Sequence, residues 1–349
     1  MKEVQIGNRK VGLSNPCFII AELSANHNGK LENALESVRA AKRAGADAIK
    51  LQTYTPDTIT LNVQTQDFLV SQGTIWDGIY LYDLYKEAYT PWQWHAQLFK
   101  AAEDEGLLCF SSPFDKTAVD LLESLNAPAY KIASFEITDI PLIEYTAAKG
   151  KPIIISTGIA EIEDIQLAVE ACTRVGNEQI ILLKCTSSYP APIQEANMIM
   201  IEDLENRFNA ISGLSDHTIG ITVPIVATAL GAKVIEKHFI IDRSIGGPDA
   251  SFSLTEREFT SMVASVREAE SAIGKIDYSL SLKQQKSREH SRSLYVAQDI
   301  NVGEIITEWN VKSVRPGFGL HPKYFKEVIG RKAKIFIKKG TALKFEYMD

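Results

Sequence analysis

Eight short apolar runs, separated by helical or polar segments, constrain the fold of this chain more than any other feature. The runs start at Cys17, Ala48, Leu107, Ala129, Pro152, Ile180, Ala210 and Lys233. Eight strands that alternate with helices are typical of a (β/α)8 barrel, a fold that needs about 250 residues. We therefore predict that residues 1–274 form a TIM barrel of the α/β class, with a polar hairpin at its amino end.

Amphipathic patterns between the runs predict the helices of this barrel. They cover 30–44, 91–105, 116–125, 161–175 and 255–273, and a further pattern lies between His217 and His238. Glycine directly follows several of these patterns, as it does at many helix ends.

The last part of the chain has a different sequence pattern. From Leu294 onward, short β-like runs alternate with Gly and Pro turns, which predicts a small β-rich domain over 294–349. The preceding stretch, 275–293, is polar and has little apolar periodicity, so we predict a linker there.

The composition excludes several classes of protein. With 45% hydrophobic and 23% charged residues, the chain is typical of an ordinary globular protein, and a net charge of -7 argues against non-specific nucleic-acid binding. No apolar stretch approaches the roughly 20 residues that cross a bilayer. The four cysteines show no CxxC spacing, which is typical of buried thiols in a reducing compartment. We therefore expect a cytoplasmic protein that binds neither membranes nor nucleic acid.

Polar residues concentrate at the carboxyl ends of the predicted strands. In a barrel these ends meet at one rim, where the active site lies. Burying so many polar groups without a function would be costly. The set comprises Glu22, Lys50, Gln52, Ser111, Ser112, Lys131, Ser134, Glu136, Ser156, Thr157, Lys184, Ser187, Ser215, His217 and the stretch from Glu236 to His238.

His217 and His238 end two neighbouring runs and lie 21 residues apart. Two imidazoles at one rim could hold a divalent ion such as Mn²⁺, Fe²⁺ or Zn²⁺, with water and carboxylate oxygens completing an open shell. The alternative is that each is a hydrogen-bonded core histidine.

Three lysines, Lys50, Lys131 and Lys184, lie within apolar strands. Surrounded by serine hydroxyls, they would bind a phosphate and a carboxylate. The alternative is a single Schiff-base lysine, as in class I aldolases. Glu136 is a candidate general acid or base, and the alternative for it is a salt bridge to one of the lysines.

Residues 55–89 interrupt the alternation of strand and helix, and aromatic side chains are frequent there and up to Trp94. This aromatic segment is either a lid or sugar-contacting wall at the upper rim, or a helix pair on the side of the barrel. After the last strand, Gly246 and Gly247 would allow close approach to a ligand, and Asp249 is a candidate contact to a metal shell or a sugar. In the small domain, Arg315 is the most interesting exposed candidate.

Nine motifs, followed by an antifreeze-like module, closely resemble the sialic acid synthase family. In chain order they are AELSANHNG, IKLQTY, FSSPFD, KIASFEI, STG, KCTSSYPAP, GLSDHTIG, EKHF and GPDASFS. The resemblance implies a (β/α)8 barrel with a carboxy-terminal antifreeze-like (SAF) domain, in a domain-swapped homodimer. It also implies the condensation of phosphoenolpyruvate with an open-chain N-acetylated amino sugar, which gives a nine-carbon 2-keto acid and phosphate.

The resemblance assigns roles to individual residues. His217 and His238 would bind the metal, with Mn²⁺ expected and Mg²⁺ or Co²⁺ as alternatives. Glu136 would transfer protons, and it forms the predicted catalytic set together with Glu22 and Lys50. The phosphoenolpyruvate site would contain Lys50, Ser112, Lys131, Ser134, Ser156 and Ser215, with Gln52 beside it. The sugar site would contain Glu22, Tyr189, Asp249 and, from the neighbouring subunit, Arg315.

Two residues depart from the neuraminic acid synthases in this family. Ser187 replaces a common Asn, and Lys184 also differs, which argues against N-acetylmannosamine as the substrate. The aromatic segment most resembles the pseudaminic acid synthases. We therefore predict condensation with 2,4-diacetamido-2,4,6-trideoxy-L-altrose. The alternatives are a neuraminate or legionaminate synthase and, more remotely, a Schiff-base sialate aldolase.

Overall fold

The computed structural model describes residues 2–13, 15–71 and 73–349. The chain forms two compact units, Met1–Gly274 and Lys275–Asp349. The first unit opens with an antiparallel hairpin of β1 (Glu3–Ile6) and β2 (Arg9–Gly12).

A closed barrel of eight parallel strands follows the hairpin. The strands are β3 (Phe18–Glu22), β4 (Ala48–Thr53), β5 (Leu108–Pro113), β6 (Tyr130–Ile132), β7 (Ile153–Ser156), β8 (Ile180–Cys185), β9 (Ile211–Asp216) and β10 (Val234–Ile240). Each strand pairs with the next, and β10 pairs with both β9 and β3 to close the ring. Every predicted run contains one strand, so the predicted TIM barrel is confirmed. A two-residue strand, β11 (Leu254–Thr255), adds to the edge of β10.

Helices surround the barrel. They are α1 (Leu31–Arg43), α2 (Pro56–Ile59), α3 (Leu81–Ala88), α4 (His95–Asp104), α5 (Lys116–Ser124), α6 (Ile140–Ala147), α7 (Ile162–Arg174), α8 (Met200–Phe208), α9 (Thr222–Ala229) and α10 (Glu256–Ile273). All predicted helices form, and the short helices α2, α3, α6 and α8 are additional. Within the described residues, the helices are too short or too polar to cross a bilayer.

The lower interior of the barrel is apolar. Phe18, Ile20, Phe110 and Leu183 are among the inward-facing residues, and Ile6 of the hairpin packs against them. Apolar residues on the outer faces of the strands pack against the helices in two further clusters. Because both faces of each strand are buried, the strands read as continuous apolar runs.

The second unit has its own small core. The elements of this unit are α11 (Leu282–Arg288), β12 (Ser293–Val296), β13 (Val311–Val314) and α12 (Phe325–Val328). Leu294, Ile306 and Val328 are fully buried in its apolar cluster. The predicted linker 275–293 therefore needs a correction, because α11 lies within it and Ser281 caps this helix by accepting a hydrogen bond from Gln284 N.

Candidate active site

Inward-facing side chains of the barrel strands form layers, because side chains alternate between the two faces of a strand. Above the apolar layers, toward the carboxyl ends of the strands, lies a polar layer that we call the ion layer. Its members are Glu22, Lys50, Ser112, Lys131, Ser156, Ser215 and Glu236. Each is at most 5% exposed. Six of these seven residues are predicted site residues, so the structure brings them together.

A cavity of about 670 Å³ opens next to the ion layer, at the carboxyl ends of the strands. Its volume is typical of pockets that hold small molecules. We call the residues that line it the cavity wall. The predicted site residues in this wall are Gln52, Ser134, Glu136, Ser187, Tyr189, His238 and Asp249. Predicted phosphate ligands such as Lys50 and Lys131 therefore lie one layer deeper than the open surface.

Lys50 lies at the centre of the charged side chains of the ion layer. Its Nζ lies 2.8 Å from Glu22 Oε2 and 3.5 Å from Glu236 Oε1, and it donates a hydrogen bond to Ser112 at 3.3 Å. The register of the strands explains the first contact, because Glu22 on β3 pairs with Lys50 on β4. Burial lowers the pKa of Lys50, but the two carboxylates outweigh burial and raise that pKa overall. Lys50 is therefore a cation in the folded protein.

Lys131 is the second cation of the ion layer. Its Nζ donates hydrogen bonds to Ser156 Oγ at 2.6 Å and to Ile132 O at 2.9 Å. Burial lowers its pKa, and the charge of Glu236 opposes this shift. Both hydrogen-bond partners of Lys131 are neutral, so an incoming phosphate or carboxylate would add a charge-assisted hydrogen bond.

Further hydrogen bonds order the polar groups within the two layers, and one of them joins the cavity wall to the ion layer. Gln52 donates to Glu22 Oε1 at 3.0 Å, and Ser215 donates to Glu236 Oε1 at 3.1 Å. In the wall, Ser187 donates to Ser134 Oγ at 2.9 Å. These contacts hold polar groups of both layers in fixed positions without a ligand.

His217 and His238 approach each other with ring centroids 5.2 Å apart. His217 Nδ1 lies 3.0 Å from Thr186 O, which places the proton on Nδ1 and leaves the Nε2 lone pair available to a metal. His238 Nδ1 is buried and, in the described part of the chain, has no hydrogen-bond partner. Its pKa is lowered well below the ordinary value, chiefly by burial, so the ring is neutral. A pair of satisfied core histidines would not leave that nitrogen unpaired, so this geometry favours metal binding.

The donor set suits an open metal site. Asp249 Oδ2 lies 3.6 Å from His238 Nδ1. Over residues 2–13, 15–71 and 73–349, no group of three or more His, Cys, Asp or Glu residues is arranged to hold a metal ion. A divalent ion bound by the two histidines would therefore take further ligands from water or substrate.

Glu136 has the properties of a proton carrier. Burial raises its pKa to about 7, although the charge of Lys131 opposes the shift. Its Oε2 has no hydrogen-bond partner, and no ion pair forms at Glu136, among the residues that the structure describes. A carboxyl group that titrates near neutrality is suited to general acid–base catalysis.

The other two carboxyl groups differ from each other. Burial raises the pKa of Glu22 to about 7, against the opposing charge of Lys50. Burial also raises the pKa of Glu236, but Lys131 and Lys50 outweigh it and lower that pKa overall. Glu236 is therefore the permanent anion of the ion layer.

The aromatic segment lines the cavity. Trp76 and Tyr85 belong to the cavity wall, and α2 and α3 form a helix pair beside it. The Tyr189 ring lies 5.5 Å from the Trp76 ring and 4.4 Å from the His217 ring. The helix pair of the alternative interpretation exists, but it borders the cavity rather than covering the side of the barrel.

Within the first unit, one predicted residue points away from the ion layer and the cavity wall. Leu183 packs inside the barrel and Lys184 follows it on the same strand, so Lys184 points outward, where its Nζ donates to Cys185 O at 2.6 Å. The prediction that Lys184 binds substrate is corrected accordingly. Arg315 is exposed in the second unit, directly after β13, and its role at the sugar site stays a prediction.

The sequence reasoning gave no role to two residues that the structure places in the site. Glu236 faces inward like His238. The sequence contains this information, because residues two apart on a strand point to the same face. A Cβ at Gly158 would lie 2.2 Å from Ser187 Oγ and 2.7 Å from Ser134 Oγ. Only glycine at this position lets the two hydroxyls approach each other undisturbed.

Comparison with known proteins agrees with this geometry. A pseudaminic acid synthase of Campylobacter jejuni is 51% identical over 98% of this chain and 98% of its own length. A pseudaminic acid synthase of Helicobacter pylori is 50% identical over 94% of this chain and 96% of its own length. The crystal structure of the spore coat polysaccharide biosynthesis protein SpsE from Bacillus subtilis superposes with a TM-score of 0.68 at 32% identity, covering 100% of this chain and 99% of that protein.

Family profiles match both parts of the sequence. The SAF domain profile matches residues 291–346, and the NeuB family profile matches residues 37–278. The resemblance to sialic acid synthases is thereby confirmed, and the chain belongs to the NeuB family.

Proposed function

We propose that this protein condenses phosphoenolpyruvate with 2,4-diacetamido-2,4,6-trideoxy-L-altrose to give pseudaminic acid and phosphate. The observation that carries the proposal is the juxtaposition of two buried lysines with a pair of histidines at one cavity. Lys50 and Lys131 supply cations for an anionic substrate, and His238 offers an unpaired nitrogen to a metal. The identity of about 50% to two pseudaminic acid synthases supports the choice of sugar.

Each substrate has a matching part of the site. Lys50 and Lys131, with the hydroxyls of Ser112, Ser156 and Ser215, would bind the phosphate and carboxylate of phosphoenolpyruvate. Gln52, Tyr189 and Asp249 in the cavity wall would bind the sugar. Holding two reactants in a fixed orientation can lower a barrier by about 7–11 kcal/mol.

The reaction forms one C–C bond to the sugar and one C–O bond to water, and it breaks the C–O bond to phosphate. The former aldehyde oxygen takes up a proton and becomes a hydroxyl. The methylene carbon of phosphoenolpyruvate attacks the aldehyde carbon of the sugar, and water adds to the resulting cationic carbon. Glu136, in its ionised form, takes a proton from that water. The tetrahedral intermediate then expels phosphate and leaves the 2-keto group. The ion pair between Glu22 and Lys50 would hold the lysine ammonium in position beside the phosphoenolpyruvate during these steps.

A divalent metal ion, held by His217 and His238, would polarise the aldehyde oxygen. We propose Mn²⁺ as this ion, with Mg²⁺ or Co²⁺ as alternatives, because two imidazoles and oxygen ligands suit all three. The histidines, rather than the carboxylates of the ion layer, would fix its position.

We also propose a domain-swapped homodimer in which Arg315 of one subunit completes the sugar site of the other. The charges of the two units support an association between them. Residues 1–274 carry a net charge of -14, whereas residues 275–349 carry +7. Opposite charges favour association of the two kinds of surface. The four buried, free cysteines support the expectation of a cytoplasmic protein.

Phosphate release tests the proposed reaction. We expect release from phosphoenolpyruvate with the diacetamido altrose and Mn²⁺, and none after EDTA treatment. Release with N-acetylmannosamine instead would identify a neuraminate synthase, and release only with the 2,4-diacetamido mannose analogue would identify a legionaminate synthase. Release that survives complete metal removal would contradict the metal assignment. Trapping of a pyruvate adduct by borohydride would indicate the Schiff-base alternative.

Subunit complementation tests the role of Arg315. Arg315→Ala alone should raise the sugar KM far more than the phosphoenolpyruvate KM. Mixed dimers of Arg315→Ala and Glu136→Gln subunits should regain activity, because one of their two sites would combine an intact barrel with an intact Arg315. If Arg315 acts on its own barrel, both sites remain defective and mixing restores nothing.

A further inference from the structure

The cavity wall contains an indole donor without a hydrogen-bond partner among the described residues. Trp76 Nε1 is buried and finds no hydrogen-bond partner in residues 2–13, 15–71 and 73–349. Trp92 provides the contrast, because its Nε1 donates to Tyr54 O at 3.1 Å. Buried tryptophan N–H groups usually have an acceptor, so the unpaired donor of Trp76 points to a ligand.

The loop that carries Trp76 is held in place. Leu69 and Tyr80 form an antiparallel bridge at its base. At its tip, the Asp77 carboxylate accepts hydrogen bonds from Gly73 N and Thr74 N, each at 2.9 Å. The backbone N–H of Trp76 donates to Thr74 Oγ1 at 3.2 Å. The indole therefore reaches the cavity from a fixed turn.

The position of Trp76 relative to the histidines indicates which part of a sugar it would meet. Tyr189 lies between them, with its ring 4.4 Å from His217 and 5.5 Å from Trp76. A sugar whose aldehyde carbon lies at the histidines would extend past Tyr189 toward Trp76. The substituent at C4, three bonds from C1, is then in reach of the indole.

The surroundings of the indole match an acetamido group better than a hydroxyl. Val70, Leu81 and Leu84 also line the cavity. An acetamido group presents a carbonyl oxygen, which needs a donor, and a methyl group, which needs an apolar surface. Trp76 and these aliphatic side chains supply both.

We propose that Trp76 Nε1 donates a hydrogen bond to the carbonyl of the C4 acetamido group and thereby selects a diacetamido sugar. This inference rests on the proposed function and names a residue that determines its specificity. A site that hydrogen-bonds a substrate group discriminates strongly against analogues that lack it, because the donor is then left unpaired.

The test compares two enzymes on two sugars. Trp76→Phe keeps an aromatic ring and removes the N–H. The sugars are the 2,4-diacetamido altrose and its analogue with a hydroxyl at C4. We expect Trp76→Phe to lower kcat/KM for the diacetamido sugar by about 10- to 30-fold, mainly through KM. For the hydroxyl analogue, the loss should stay below about threefold, and the phosphoenolpyruvate KM should not change.

Two further variants control for general effects. Trp309→Phe, on a side chain that is 79% exposed in the second unit, should behave like the wild type on both sugars. Trp76→His retains a ring N–H and should recover part of the preference for the diacetamido sugar. If Trp76→Phe does not fold, the comparison of Trp76→His with the wild type still measures this preference.

The outcomes separate the inference from the function on which it rests. Equal losses on both sugars, or no loss on either, would overturn the role of Trp76 while the wild-type activity upholds the proposed function. No phosphate release by the wild-type enzyme with the diacetamido sugar would overturn both.

Discussion

The ion layer and the cavity wall are neighbouring layers of one barrel, yet they treat polar groups in opposite ways. In the ion layer, Lys50 lies between two carboxylates and Lys131 donates to two oxygen atoms of the protein. In the cavity wall, Trp76 Nε1, Glu136 Oε2 and His238 Nδ1 have no hydrogen-bond partner in the described structure. In the ion layer, the atoms without one are carboxylate oxygens beside Lys50, Glu22 Oε2 and Glu236 Oε2, and not the lysine cations. The lysines of the ion layer must exchange internal partners for a ligand, whereas the three unpaired atoms of the wall would gain a partner from a ligand.

This difference separates binding of the anion from recognition of the sugar. A cation that already has partners loses part of its interaction energy when they are exchanged, and it stays ordered in the free enzyme. An unpaired donor or acceptor lowers the stability of the free enzyme, and this cost is recovered when a ligand forms the missing hydrogen bond. Substitutions in the two layers should therefore have different consequences for the two substrates.

The largest effect is expected from the ion layer. Lys131→Met should lower kcat/KM for phosphoenolpyruvate by about 10³-fold, because a buried charged donor to the anion is lost. Steady-state kinetics with each substrate varied in turn provides the measurement. The sugar KM should change much less, which would distinguish the ion layer from the wall.

Lys184→Met is the matched control. Lys184 is also a buried lysine on a barrel strand, but it points away from the cavity. Its replacement should leave both KM values close to those of the wild type. A comparable loss in Lys184→Met would mean that the loss in Lys131→Met reflects buried charge in general.

Glu136→Gln should have the next largest effect, about 10²-fold on kcat/KM. Because burial raises the pKa of Glu136 to about 7, its ionised form accumulates as the pH rises through that value. Wild-type kcat/KM should therefore increase up to about pH 7, and this increase should be absent in Glu136→Gln. Glu22→Gln should retain it. A pH profile of Glu136→Gln with an unchanged slope would assign the proton transfer to another group.

The free energy of unfolding should fall as the pH rises, whereas kcat/KM should increase. The folded-state pKa of Glu136 lies above the unfolded value of 4.5, so its protonated form is favoured in the folded protein. The resulting stabilisation is complete below about pH 4.5 and is lost as the pH rises through about 7. At pH 8, Glu136→Gln should be more stable than the wild type by up to about 3 kcal/mol, with no such gain near pH 4. Urea unfolding at both pH values would measure the difference.

The sequence predicts the strands better than it predicts the layers. The eight runs are long, apolar and end in polar residues, so each strand could be placed. Lys184 was misassigned because the strand is apolar on both faces, and the pattern around Leu183 and Cys185 does not show which face is inside. The contacts of Lys50 depend on register between strands that are distant in sequence. The unpaired N–H of Trp76 depends on a loop conformation that no periodicity encodes.

Substitution of a buried ion pair, Lys237 with Asp216, should have an effect of intermediate size. Lys237 Nζ lies 2.5 Å from Asp216 Oδ2, and both residues are at most 3% exposed. They neighbour His238 and His217 in the chain. Lys237→Met would leave the buried Asp216 carboxylate without a counter-ion, with only hydrogen bonds from Thr218, which should cost about 3–5 kcal/mol of unfolding free energy. If the pair also positions the histidines, Mn²⁺ binding should weaken about 10-fold.

Manganese titration monitored by electron paramagnetic resonance, at a temperature where the variant stays folded, would measure that affinity. The double variant Asp216→Asn, Lys237→Met should recover stability because the lone buried charge is gone. Its Mn²⁺ affinity should stay low if position matters. Full affinity in Lys237→Met would show that this buried ion pair only stabilises the barrel.

Gly158→Ala tests how rigid the cavity wall is, and it should have the smallest effect. The new Cβ would lie 2.2 Å from Ser187 Oγ and 2.7 Å from Ser134 Oγ, so both hydroxyls would have to turn away and their 2.9 Å hydrogen bond would break. One neutral hydrogen bond contributes about 1 kcal/mol, so kcat/KM should fall roughly 3- to 10-fold. Ser187→Ala, which removes the same bond without crowding, should show a similar loss. If Ser187→Ala loses activity and Gly158→Ala does not, the wall adjusts around an added methyl group. The contrast would then lie between a fixed ion layer and an adaptable wall, rather than between two preformed layers.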